Sequence, residues 1–221
     1  MNASRVVDDM GVTTPLLMTA VSGCIDAHLF LRYQSFAFAQ TGNVVFLAVA
    51  VVQGAAWARY VWPLAAYVAG LAAAETFRAG RPVLPRSAIT AILTAQVVVF
   101  AVLAVMPGRT PAAVFLVVLS FVGAIRLDIF RSAGGLPVVT IATTGNLLRL
   151  MQSAASMIRE PSRDRRWGLT ISALVVLAFA AGALVGAYAT TQFGTAGLWA
   201  AVLMEALALV CYLTAERRSI T

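Results

Sequence analysis

Ser35-Phe36-Ala37-Phe38-Ala39-Gln40-Thr41-Gly42-Asn43 and Leu136-Pro137-Val138-Val139-Thr140-Ile141-Ala142-Thr143-Thr144-Gly145-Asn146 set the architecture of this chain. Both end on Thr-Gly-Asn, both follow a long apolar segment that carries an Asp (Asp26, Asp128), and both lead into a short apolar or amphipathic run, Val44 to Ala56 and Leu147 to Ile158. Runs of that length fall below the roughly 20 residues that a membrane-spanning helix needs, and fit half-helices or re-entrant segments. The second run also carries Arg149 and Gln152, which suits it poorly to face lipid.

Six longer apolar runs surround these breaks: Leu16 to Leu31, Tyr60 to Phe77, Ala88 to Met106, Ala112 to Phe130, Leu169 to Thr190 and Ala196 to Leu213. The composition explains them. Of 221 residues 61% are hydrophobic and 11% charged, and mean hydropathy is +0.88. A water-soluble domain is about 25% charged, so this chain has too few charges to cover a wetted surface, and its main solvent is lipid. The net charge of +7 comes from arginines between the apolar runs, which marks topology and not a nucleic-acid footprint. There is no lysine, which excludes a P-loop lysine, a Schiff-base lysine and a Ser/Lys dyad. The N-terminal stretch lacks the basic start and unbroken apolar run of a signal peptide, so the first segment is expected to remain in the mature protein.

Arginine placement discriminates between two topologies. If both short runs cross fully, eight spans result, with Arg5, Arg59, Arg109, Arg159, Arg163, Arg165, Arg166, Arg217 and Arg218 on one side and Arg32, Arg78, Arg81, Arg86 and Arg131 on the other. If both re-enter, six spans result and only Arg32, Arg59 and Arg109 face outward, against eleven inside. The positive-inside rule favours six spans with both termini cytoplasmic. Three spans per half is an odd number, so the two halves are then inverted repeats. Residues 1–221 read as one all-α integral membrane domain, with repeat one at 15–106 and repeat two at 111–213; eight spans is the alternative.

Non-helical backbone at membrane depth is tolerated where it is buried in protein or lines a wet cavity, so the two breaks point to a solute site between them. Thr41, Gly42, Asn43, Thr144, Gly145 and Asn146 are its expected residues, with half-helix N–H groups offering partial positive charge to an anion or polar solute. Arg149 lies three residues after Asn146 on the same helical face and would assist. Asp26 and Glu205 are costly in lipid and are read either as proton-coupling groups or as partners of an interior arginine. For Arg126, neutralising Asp26, Asp128 or Glu205, or snorkelling to the interface, is the favoured reading. Asp128 with Arg131, and Glu75 with Arg78, read as interfacial pairs.

His28 and Cys24 share a helix face, but two ligands do not make a metal site, and a packed or hydrogen-bonded His is expected. Cys24 and Cys211 read as small apolar residues. Gly182 and Gly186 form a small-residue face for internal helix packing or a homodimer contact. Trp57, Trp62, Trp167 and Trp199 fall at segment ends, as an interfacial belt would place them. No nucleophile elbow, zinc-protease motif or phosphate loop is present, and no enzyme activity, cofactor or metal is expected.

Ser22-Gly23-Cys24-Ile25-Asp26-Ala27, Thr41-Gly42-Asn43 and Gly134-Gly135-Leu136-Pro137-Val138-Val139-Thr140 leading to Thr144-Gly145-Asn146 resemble the YoaK family of small multi-pass bacterial membrane proteins. That family often carries Gln-Asn-Ala before the second turn, where this chain reads Ile125-Arg126-Leu127-Asp128, which adds charge. The resemblance implies a bacterial inner-membrane protein, in some descriptions a presumed permease. Residues and resemblance together give the expectation of a transporter or channel for a small polar or anionic solute, with proton coupling as one option and lipid and solute as its partners. The competing expectation is a non-transporting membrane scaffold or assembly partner, in which the polar residues only fix helix packing.

Overall fold

A computed structural model describes residues 11–78, 84–129, 132–133, 136–137 and 143–220. It is helical almost throughout: α1 (Thr13–Tyr33), α2 (Gln40–Val52), α3 (Ala58–Arg78), α4 (Arg86–Val105), α5 (Ala112–Ile129), α6 (Thr143–Arg159), α7 (Arg163–Phe193) and α8 (Trp199–Ile220). A 3-10 turn, Gly194–Leu198, joins the last two, and a two-residue antiparallel ladder pairs Ser132–Ala133 with Leu136–Pro137. The six long apolar runs each become one helix, and the two short runs become α2 and α6. The Asp128–Arg131 and Glu75–Arg78 pairs, and the limb at 138–142, involve side chains outside the described residues.

Among the described residues, three helical runs are long and apolar enough to cross a membrane: Thr13–Tyr33, Arg86–Val105, and Arg163–Ala215, which takes in α7, the 3-10 turn and most of α8. Gln40–Val52 and Ala112–Leu127 are shorter apolar helices. With 13 residues, α2 reaches only about 20 Å at 1.5 Å per residue, against a hydrocarbon core about 30 Å thick. At 31 residues α7 is about 46 Å long, so its basic first turn can stand clear of the core. Ser162 caps that turn by accepting from the Arg165 amide (3.2 Å), and Arg165 pairs with Glu160 and donates to the Ser156 and Glu160 carbonyls, which fastens the α6–α7 hairpin.

The distribution of polarity is that of a membrane protein. Val52 is 87% exposed, Ile158 82% and Leu184 73%, whereas Asp26, His28, Gln96, Arg126 and Glu205 are buried. Lipid accepts the exposed valines and leucines, and the ionisable groups find partners inside the bundle. Trp57, Trp62, Trp167 and Trp199 are half-exposed at helix starts. The protein thus has the character of a helical membrane protein.

Two helix pairs form its frame. α1 packs most extensively on α7, and α3 on α5, while α2 folds back on α3 and α6 on α7. Glycine makes the close approaches. A Cβ on Gly23 would lie 2.2 Å from the Phe179 carbonyl oxygen, on Gly182 1.9 Å from that of Ala20, and on Gly186 2.3 Å from that of Cys24. In the second pair, a Cβ on Gly70 would lie 2.5 Å from the Phe121 carbonyl oxygen. The homodimer contact through Gly182 and Gly186 is therefore corrected: α1 of the same chain covers that face, and the glycines serve internal packing.

Candidate functional site

The site grows from the end of α1. Gln34 adopts the left-handed conformation (φ 55°) and stops the helix, and its main-chain N–H and side-chain amide both donate to the Phe30 carbonyl (2.9 and 2.8 Å). The chain then turns back through residues 35–39, whose N–H groups would have no partner in lipid. Asp26, two turns earlier on α1, supplies one. Its Oδ1 accepts from the Ala37 and Phe38 amides (2.9 and 3.0 Å), and its Oδ2 accepts from the Ala39 amide (3.1 Å). Hydrogen bonds to a charged acceptor are the strong ones, and three converging on one carboxylate hold this loop at the mouth of α2.

Asn43 completes the lock. Its Oδ1 accepts from the Ser35 hydroxyl (3.0 Å) and the Phe36 amide (2.9 Å), and its Nδ2 donates to the Phe36 carbonyl (2.7 Å) and Gln40 Oε1 (3.0 Å). All four of its side-chain hydrogen-bond positions are thus taken within its own loop and helix. Phe38 is buried on α5 at Gly123, where a Cβ would come 1.8 Å from its ring. Phe36 stacks on Phe30 with ring centroids 5.2 Å apart, and Phe46 closes the same cluster.

Two sequence expectations change here. The Thr-Gly-Asn tripeptides do not end the breaks ahead of their helices; each lies within the first turn, of α2 and of α6. Ala39 occupies the N-cap of α2 with no side-chain cap, and the carboxylate that serves this helix end comes across from α1. Consequently the amides at the mouth of α2 do not wait for a solute anion. Asp26 already provides the negative charge favoured there.

Between these elements lies a cavity of about 620 Å³. Gly23, Asp26, Ala27 and Phe30 of α1 line it, with Phe36, Phe38 and Ala39 of the loop and Gln40, Thr41 and Gly42 of α2. Tyr67 of α3, Leu127 of α5, Thr144 of α6, and Phe179 and Ala183 of α7 close it. The two breaks are thus brought to one space through Thr41, Gly42 and Thr144. Asn43, Gly145, Asn146 and Arg149 do not line it: Asn43 stands behind the loop, Asn146 is buried, and no neighbour comes within 4 Å of a Cβ placed on Gly145. Tyr67 and Phe179 are lining residues that no local pattern in the sequence marks, because helix pairing alone brings them in.

A second buried polar centre sits apart from the cavity lining. Arg126, 0% exposed, donates to Glu205 Oε2 (2.7 Å), the Met18 carbonyl (3.1 Å) and Gln96 Oε1 (3.0 and 3.3 Å), and lies against the Phe100 ring. This ties α5 to α8, α1 and α4. Among the interior carboxylates open to Arg126, the structure pairs it with Glu205, and Asp26 is held by backbone amides instead. Gln96 was open to detection, since a lone amide near the middle of an apolar span is the same signal that marks Glu205. Nearer the other end of α1, His28 Nδ1 meets Thr190 Oγ1 (2.8 Å), and Thr190 donates onward to the Gly186 carbonyl (2.6 Å), so His28 is the donor in that contact.

A sequence profile for a family described as "Protein of unknown function (DUF1275)" matches residues 14–211. The chain belongs to this family. The match spans α1 to most of α8, and so includes both breaks and both polar centres. No curated protein and no solved structure gives a match.

Proposed function

We propose that this DUF1275 protein is a membrane permease that moves a small solute through the cavity between α2 and α6. The observation that carries the reading is that Thr41 and Gly42, in the first turn of one short helix, and Thr144, in the first turn of the other, line the same cavity beside Asp26. Interrupted helices meeting at mid-depth are how many carriers build a solute site, because the broken ends leave polar backbone where lipid offers none. The pairing of α1 with α7 and of α5 with α3 is what an exchange of the two halves would produce, and it supports inverted repeats at 15–106 and 111–213.

In this reading the protein resides in the bacterial inner membrane with six spans, re-entrant α2 and α6, and both termini cytoplasmic, as the arginine distribution favours. Its likeness to the YoaK group then extends to a permease role. Thr41, Gly42 and Thr144 touch the solute, and Asn43, Gly145 and Asn146 shape the two helix ends. Arg149 supports the second short helix, and the Arg126–Glu205 pair balances charge inside the frame. Asp26 is the residue through which proton coupling would run, as the one carboxyl group in the described lining.

The test needs no knowledge of the solute. In a background with Cys24→Ala and Cys211→Ala, Thr41→Cys and Thr144→Cys are exposed to a membrane-impermeant thiol reagent, added in turn to right-side-out and inverted vesicles. A permease gives reaction at these positions from both sides. A packing scaffold gives reaction from neither side.

A further inference from the structure

We propose that the cavity selects an organic ammonium: a positively charged amine on an apolar, preferably aromatic, body. The inference rests on the permease reading for the cavity's purpose, and on the lining alone for its chemistry.

An ionised carboxylate offers four lone-pair positions. The loop amides of Ala37 and Phe38 occupy both on Asp26 Oδ1, and the Ala39 amide occupies one on Oδ2. The fourth, on Oδ2, takes no donor from the described residues and can receive one arriving in the cavity that Asp26 lines. The three amides are neutral dipoles, so they hold the carboxylate in place without cancelling its charge. Among the described lining residues there is no basic side chain. The charged side chain that a solute meets in the described lining is therefore negative, and in a space of low dielectric it repels an anion far more strongly than water would allow.

The rest of the lining decides which cation. Phe30, Phe36, Phe38, Tyr67 and Phe179 present aromatic carbon, and ring faces attract a desolvated cation. Gln40, Thr41, Thr144 and the Tyr67 hydroxyl are the neutral polar side chains in the described lining. That set falls short of the six to eight oxygens a hard metal cation needs in place of its water. An ammonium needs less, because its organic body is solvated by the rings and its N–H groups need only a few acceptors.

The full-length protein in nanodiscs, at mildly alkaline pH, is titrated with three probes of matched shape: phenethylammonium, 2-phenylethanol and 3-phenylpropionate. Phenethylammonium is expected to bind at least about tenfold more tightly than the propionate, with the alcohol between them. Asp26→Asn should abolish the preference for the ammonium over the alcohol. If that variant fails to fold, Thr144→Arg, which leaves the loop untouched, should reverse the order and make the propionate the tightest of the three. Equal or tighter binding of the propionate by the unaltered protein, or binding of none of the probes, overturns the proposal. Binding of the ammonium as expected, without its passage into proteoliposomes, keeps the charge selectivity and overturns the permease reading instead.

Discussion

Arg126 and Asp26 are both buried ionisable groups, but they answer the cost of burial in different ways, and mutation separates them. Arg126 is compensated by another charge, Glu205, so Arg126→Leu leaves that carboxylate stranded and should cost about 3–5 kcal/mol. Arg126→Leu combined with Glu205→Leu removes both charges and should recover most of the loss, as read from the thermal midpoint in mild detergent. Asp26 is compensated by backbone, so no partner deletion can rescue it. Asp26→Ala exposes three loop amides to an apolar surrounding and is expected to open residues 35–39 to protease attack more than Arg126→Leu does, although both variants are destabilised. At this scale the sequence shows that Asp26, Arg126 and Glu205 are exceptional, since each interrupts an apolar run. It does not show the partners. The amides that Asp26 accepts from lie 11 to 13 residues ahead, and the left-handed Gln34 that swings them back onto α1 carries no glycine or asparagine to announce it.

Helix contacts rest on glycines whose missing side chains let backbones touch, and the clearest case is the α1–α7 seam. Gly186→Leu places a side chain where the Cys24 carbonyl lies and should part the two helices, with a loss on the order of 2–4 kcal/mol from overpacking and lost contact. Gly145→Ala is the control: it sits in the first turn of α6 with open space around it, and should be neutral or stabilising by up to about 1 kcal/mol. Differential scanning fluorimetry of the two variants side by side distinguishes the seam from an ordinary helical glycine. Six of the helices were legible from hydropathy, because length and uniform apolarity define a span whatever its neighbours. The starts of α2 and α6 were less so. Thr-Gly-Asn reads as a capping turn in isolation, yet helical geometry runs through it, since the end of α2 is satisfied by a carboxylate from another helix and has no need of a local cap.

For the whole molecule, the arrangement to be explained is a bundle with valine and leucine outside, ionisable groups inside, and two short helices whose first turns reach one cavity. Hydropathy alone conveys the first two features. The third is fixed by which helices pair, α1 with α7 and α3 with α5, and the glycines that permit this resemble those of any membrane helix, so the sequence suggests facing breaks only through its repeated motif. Orientation follows from charge: with six spans, Arg59→Cys at the start of α3 should react with an impermeant reagent from outside the cell, and Arg78→Cys at its end from inside, whereas eight spans exchange the sides. The central claim is that both breaks open on a single interior space, and intramolecular cross-linking tests it most directly. Thr41→Cys and Thr144→Cys, combined in the cysteine-free background and treated in native membranes with a short bis-maleimide, should join within one chain and migrate faster as a compact monomer on a denaturing gel. Efficient labelling of each cysteine singly, with no cross-link between them, would contradict the account.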